Sequence, residues 1–267
     1  MTSDALDPLR ACCARVGFDL DRAGSALLER MLLLAEGSGT FDDAVRLADH
    51  AHRVFAHYAK TKPDRAFDAL ERRTVVLASL FSDIGKTGPA DAGADDRRTI
   101  VEAFAVENVR DDQQPVATFL RTYFAADAEE RIARFAAMGI DPALSLREFW
   151  NLHAHWTLAI SEAAGLPPEA TAAAATHHML DDVNPDSIVG DDDRFTRSFG
   201  QNTTFDRAEK LVILLDKYDA VRRRGGRSHE GAIAWLRERI AQSDRFRDDA
   251  ELLELVADVD AAIGASP

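Results

Sequence analysis

Eight histidines are spread unevenly along this chain, at His50, His52 and His57, at His153 and His155, at the adjacent pair His177 and His178, and at His229. Imidazole is the commonest metal ligand and titrates near neutral pH, so these groups are where chemistry is first sought. Two carboxylates stand out beside them. The run Val75-Val76-Leu77-Ala78-Ser79-Leu80-Phe81-Ser82-Asp83-Ile84-Gly85-Lys86 carries Asp83 from an apolar stretch straight into a glycine turn, with Lys86 three residues on. An ionised carboxylate in such a place needs a cation or hydrogen bonds to compensate its burial. Asp83 either meets that need with a metal or accepts backbone N–H bonds within the turn. Lys210-Leu211-Val212-Ile213-Leu214-Leu215-Asp216-Lys217-Tyr218-Asp219 repeats the pattern. Asp216 lies four residues after Val212 on a face expected to be buried, where a salt bridge to Arg or Lys is the alternative. Two apolar helices that each present an inward Asp favour a shared cation, because one ion neutralises both.

The pair His177 and His178 closes an alanine-rich stretch, and neighbouring side chains on a helix diverge by about 100°. One ring can then face an ion while the other reaches a further ligand position or a substrate. His50 and His57 share a helix face, as does Arg53. Imidazole and carboxylate without a nearby thiolate suit Fe, Mn, Zn or Ni rather than a structural zinc finger.

The elements that must position these residues are all helical. Apolar residues recur at three- and four-residue spacing, and alternating strand patterns are absent, so the predicted fold is all-α. The spacing predicts a helical pair over 4–37 and helices over 42–60, 66–82, 98–109, 113–125, 127–138 and 145–164. A further helix runs on to about 180, a loop covers 181–203, and helices over 205–223, 228–241 and 247–263 follow. Residues 1–40 are read as an N-terminal helical extension packed on the core, and 41–267 as one helical domain with an insertion over about 90–145.

The bulk composition sets limits on function. With 46 acidic against 32 basic residues the formal charge is -14, which argues against a general grip on nucleic-acid phosphates. No DNA partner is expected. A local basic patch can still hold a small anion. Cys12 and Cys13 are adjacent and poorly placed to staple two elements, so both are expected as reduced thiols. The start lacks a basic stretch ahead of an apolar one, and no apolar run approaches bilayer length. The expected location is the cytoplasm, with no membrane contact.

Four segments in order resemble the HD superfamily of metal-dependent phosphohydrolases, and within it the HD-GYP branch. The likeness covers roughly residues 42–240. His50-Ala51-His52-Arg53-Val54 looks like the family's first metal histidine, and Leu80-Phe81-Ser82-Asp83-Ile84-Gly85-Lys86 like its His-Asp-Ile-Gly-Lys segment. His153 through Gly165-Leu166-Pro167 to His177-His178 looks like its middle segment, with His153 and His177 24 positions apart. Leu215-Asp216-Lys217-Tyr218-Asp219-Ala220-Val221 looks like its last metal aspartate, and Ser228-His229-Glu230 like the helix start after it. Two departures accompany the match. Ser82 stands where the family has its name-giving histidine, and Met179-Leu180-Asp181-Asp182-Val183-Asn184-Pro185 replaces the Gly-Tyr-Pro loop, which leaves specificity for cyclic di-GMP open.

The resemblance implies an HD-type helical bundle holding one or two divalent transition metals, Fe or Mn. Its ligands would be His50, Asp83, His153, His177, His178 and Asp216, with Asp83 bridging and His155 left for packing. One ion, served by His50, Asp83 and Asp216, would lack the imidazole that Ser82 replaces. Asp83 and Lys86 would take part in catalysis, Lys86 by holding a phosphate oxygen, unless it is a solvated surface lysine. Arg222 and Arg223 would attract an anionic substrate, unless they form a solvated helix end. The implied activity is a phosphodiesterase acting on a cyclic dinucleotide or related nucleotide, with a homodimer possible. Two alternatives stand beside it: a degenerate domain that binds a nucleotide or a protein partner in signalling, and a di-iron oxygenase.

Overall fold

The computed structural model describes residues 3–192, 194–201 and 203–264. Among them are twelve α-helices: α1 (Asp7–Arg15), α2 (Ser25–Gly37), α3 (Thr40–Thr61), α4 (Ala69–Phe81), α5 (Ala94–Phe104), α6 (Val116–Tyr123), α7 (Ala128–Ala137), α8 (Leu146–Ala163), α9 (Pro168–Ala175), α10 (Arg207–Arg223), α11 (His229–Gln242) and α12 (Ala250–Gly264). The only strand-like pairing among the described residues is three isolated bridges, two of them in the segment before α10. The fold is all-α, as the periodicity predicts.

Three helices that carry expected ligands begin on the same reciprocal cap. Asp68 accepts the Glu71 N–H at 2.9 Å while the Glu71 carboxylate accepts the Asp68 N–H at 2.7 Å. Ser145 with Glu148 at α8, and Asp206 with Glu209 at α10, repeat the arrangement. Each satisfies helix N–H groups that have no intrahelical partner and places negative charge at the positive end of the helix dipole.

The centre of the main core is α4, α9 and α10. Every residue of α4 from Thr74 to Phe81 is buried, and so is every residue of α9 from Glu169 to Ala175. A helix apolar on all sides belongs in the middle of a bundle, enclosed by others. The run of small alanines in α9 lets it lie close against both α4 and α8. Around this centre, α3 packs on α4, α12 on α3 and α10, and α1 and α2 close over α3 and the turn after α4.

A second, smaller core joins α5, α6, α7 and the start of α8, the stretch expected as an insertion. Ile100, Val116, Phe119, Phe135 and Phe149 meet there at essentially zero exposure. The long helix α8 serves both cores. Phe149 near its start lies in the small one, and Leu158 and Ile160 near its end lie in the large one.

Two boundaries differ from the periodicity. Helix α5 starts at Ala94, because Asp95 and Asp96 make a favourable acidic first turn, and it ends at Phe104. Helix α9 stops at Ala175 instead of continuing to residue 180. His177 turns back to donate its Nδ1–H to the Ala174 carbonyl at 2.6 Å, and the chain goes on as a short 3-10 turn, Met179–Asp181. The histidine pair therefore lies beyond the helix, in a turn.

Candidate metal centre

Asp83 is placed by the way α4 ends. Ser82 keeps helical angles, Asp83 leaves them, and Ile84–Thr87 form a 3-10 turn against α8. A Cβ built on Gly85 would lie 1.9 Å from the His153 carbonyl oxygen, so only glycine permits this approach. Thr157, one helical turn beyond His153, ties the two elements together. Its hydroxyl donates to the Ser82 carbonyl at 2.8 Å and accepts the Gly85 N–H at 3.0 Å. The same face of α8 that grips the turn thus presents His153 to Asp83.

The two central rings are held in one tautomer. His177 Nδ1 donates to the Ala174 carbonyl, and His153 Nδ1 donates to the Trp150 carbonyl one turn back. A carbonyl can only accept, so both Nδ1 atoms carry the hydrogen and the Nε2 atoms face inward. His153 Nε2 lies 3.1 Å from His177 Nε2 and 3.2 Å from Asp83 Oδ1, and His177 Nε2 lies 3.8 Å from the same oxygen. His178 completes a group in which ligand atoms of the three histidines all fall within 4.8 Å of one another. His153 and His177 are buried and His178 is partly so.

Charge is arranged to match. Burial alone would raise the Asp83 carboxyl, but the Lys86 ammonium at 2.7 Å outweighs it and holds the group well below the usual carboxylate range. Burial pushes His177 down to about 4, against an opposing pull from Asp216, so the ring is neutral at pH 7. Burial, then His177 and Lys217, likewise keep His178 well below the usual histidine range. Inward Nε2 atoms and an ionised carboxylate oxygen make an electron-rich group that a proton can bridge only in pairs. A single divalent ion would satisfy them together.

The spacings suit that ion. With metal–nitrogen bonds of about 2.0–2.1 Å, neighbouring ligand atoms stand about 3.0 Å apart in an octahedron and about 3.4 Å apart in a tetrahedron. The 3.1 and 3.2 Å separations fall within that interval, and the 3.8 Å between His177 Nε2 and Asp83 Oδ1 is wider. Buried Asp216 Oδ2 has no hydrogen-bond partner, and Lys217 Nζ at 3.5 Å attracts it only electrostatically. Asp216 and Asp83 line one cavity of about 10 Å³ with Ser82, Asp43, Asp219 and Arg224, room for a single water-sized guest.

The structure thus gathers Asp83, His153, His177 and His178, with Asp216 adjoining. His50 is elsewhere. Its ring stands edge-on to Tyr218 at 5.7 Å, the largest charge acting on it is Asp219, and its buried Nδ1 has no partner. None of the contacts of the described residues joins His50 to Asp83 or Asp216. Position 47, one turn earlier on α3, faces the cavity instead, and it is a leucine. Lys86 is no solvated surface lysine: it is buried and paired with Asp83. Arg222 bonds the Arg227 carbonyl at 2.9 Å, and Arg223 joins Asp43 and Asp219, the two carboxylates that Arg46 also binds. Arg223 also lines the cavity that Asp83 and Asp216 share. His155 is half exposed and 3.7 Å from Asp186.

Three contributors escaped the sequence reading. Thr157 joins the turn to α8. Lys217 contacts His178 Nδ1 and lies 2.7 Å from Asp181, so an internal ammonium is held against the third histidine. Phe104 packs edge-on against His153 at 5.8 Å, bringing the insertion to the wall of the site. The signal for Thr157 was its four-residue spacing from His153; Lys217 and Phe104 carried none. No family model, no curated protein and no solved structure matches this chain.

Proposed function

We propose that this chain is a metal-dependent phosphohydrolase, of a kind that cleaves a phosphodiester in a cyclic dinucleotide or related nucleotide. One observation carries the reading: the His153 and His177 Nε2 atoms and the ionised Asp83 oxygen converge within 3.1 to 3.8 Å with their other polar atoms already engaged. His153, His177, His178 and Asp83 would hold the ion, with Asp216 beside them. A divalent transition metal bound there supplies a Lewis acid that acidifies water and offsets the charge building on a phosphoryl group.

The chain's own groups prepare for that chemistry. The backbone carbonyls of Trp150 and Ala174 hold the rings in the ligating tautomer, and burial keeps His177 neutral at pH 7. Lys86 keeps Asp83 ionised, and its ammonium would turn toward a phosphate oxygen. Phosphoester chemistry and the nucleotide class rest on the likeness of the four ordered segments to HD-type phosphohydrolases.

A nucleotide- or protein-binding module without turnover is the second reading. It is favoured by Ser82, by His50 set against Tyr218, and by Asp43 and Asp219 already neutralised by Arg46 and Arg223. Elemental analysis of the purified chain, followed by assay of cyclic di-GMP and bis(p-nitrophenyl) phosphate with Mn or Fe(II), separates the two. Metal retained with hydrolysis supports the first reading. Retained metal without hydrolysis leaves the second, and absence of any bound transition metal sinks the enzyme.

A further inference from the structure

Arg30, on α2, is 3% exposed and has no carboxylate within 4.0 Å among the described residues. Its guanidinium instead faces a row of oxygens on the turn after Asp83. Nη1 donates to the Thr87 hydroxyl at 2.6 Å and lies 3.4 and 3.3 Å from the Thr87 and Gly88 carbonyls. Nη2 donates to the Pro89 and Ala90 carbonyls at 2.8 Å each. Carbonyls of four successive residues converge on one side chain, which a planar fork of five N–H donors can satisfy and a single ammonium cannot.

The grip reaches the ligand turn through three short hydrogen bonds. The Thr87 hydroxyl that accepts from Arg30 donates in turn to the Ile84 carbonyl at 2.7 Å. The Gly88 N–H bonds the Gly85 carbonyl, and the Lys86 N–H bonds the Asp83 carbonyl, both at 2.9 Å. On the far side Thr157 holds Ser82 and Gly85. The turn that carries Asp83 and Lys86 is thus clamped between α2 and α8.

We infer that Arg30 is a positioning residue for the candidate metal centre, and that the N-terminal helices belong to the site because they supply it. As far as it concerns metal, this rests on the function proposed above. The test compares Arg30→Lys and Arg30→Met with Arg97→Met, which breaks the Arg97–Glu29 pair between α5 and α2 and removes no hydrogen bond from the turn. Hydrogen–deuterium exchange of the full-length, metal-free chain reads the turn directly. Peptides over residues 83–90 are expected to exchange about tenfold faster in both Arg30 variants, with residues 207–223 and the Arg97 variant unchanged. Cobalt(II) titration reads the site: affinity is expected to fall about 10- to 100-fold, with altered visible bands, in the range typical of groups that orient metal ligands.

Unchanged exchange at 83–90 overturns the inference. So does equal acceleration in the Arg97 variant or across the whole chain, which would mark a general packing role. If Arg30→Met does not fold, Arg30→Lys decides. A parent chain that takes up no cobalt sinks the metal reading, while the exchange data still decide whether Arg30 holds the turn.

Discussion

His177 shows how much of the site is set by one residue's surroundings. It has no exposed surface, donates at Nδ1 and is left with a lone pair that faces other acceptors. Its pKa is pushed from 6.5 to about 4 by burial, so in the metal-free chain it resists protonation that the unfolded chain accepts. Between pH 6.5 and 4 the unfolded state therefore binds more protons, and stability falls as pH falls. At about 1.4 kcal/mol per unit, His177 alone contributes a loss of about 3 kcal/mol across that interval, complete near pH 4. Urea unfolding of the parent and His177→Gln at pH 7.5, 5.5 and 4.5 measures it. The parent should lose the advantage over the variant as acid is added, and a constant gap between them would contradict the assignment. His178, shifted in the same direction, adds to the parent's slope and remains in the variant.

Helices and turns determine whether the ligands meet. The turn after α4 touches α8 because Gly85 has no side chain and Thr157 bonds both sides of Asp83. Thr157→Val keeps the shape and removes both hydrogen bonds, leaving the buried Gly85 N–H without its partner. The expected cost is about 1–3 kcal/mol of stability, seen as a lower urea midpoint, with metal affinity reduced about 10- to 100-fold. Calorimetric titration with Mn or Co(II) checks the second figure, and wild-type affinity in a destabilised variant would show that Thr157 serves folding alone. The helix starts were encoded locally, in pairs three residues apart that the spacing argument did not use: Asp68 with Glu71, Ser145 with Glu148 and Asp206 with Glu209. The end of α9 was not. Alanines and a threonine offer no stop signal, and what turns the chain is the His177 bond back to Ala174.

At the scale of the molecule, two cores share one long helix and the site lies between them. The insertion, which carried no readable motif, meets the histidines through Phe104, itself stacked on Phe149 at 5.0 Å. Phe149→Ala should cost about 3–5 kcal/mol, because a fully buried ring leaves a cavity. It should also weaken metal binding by loosening Phe104 against His153. Urea unfolding with metal titration of the same variant checks both, and unaltered metal affinity would confine the insertion to its own core. No helix among the described residues is long and apolar enough to cross a membrane. Both cysteines lie buried in the larger core, where burial pushes Cys13 up to about 12.

What the sequence by itself determined is local and periodic: helical spacing, caps, glycine turns and the residue types able to bind a metal. Those properties depend on neighbours within four positions, and they picked out Asp83, Asp216 and the pair His177 and His178, while His153 was singled out by the resemblance of its segment to a known family. Their meeting depends on tertiary packing. Only the structure decided that the two Nε2 atoms and one carboxylate oxygen converge while His50 stands against Tyr218. It also decided that Arg223 is spent on Asp43 and Asp219, and that Arg30 reaches the turn from 57 positions away. Helical period tells which face a residue occupies, but not which helix that face will meet. A hydrogen bond between distant segments leaves no trace in the spacing of either one.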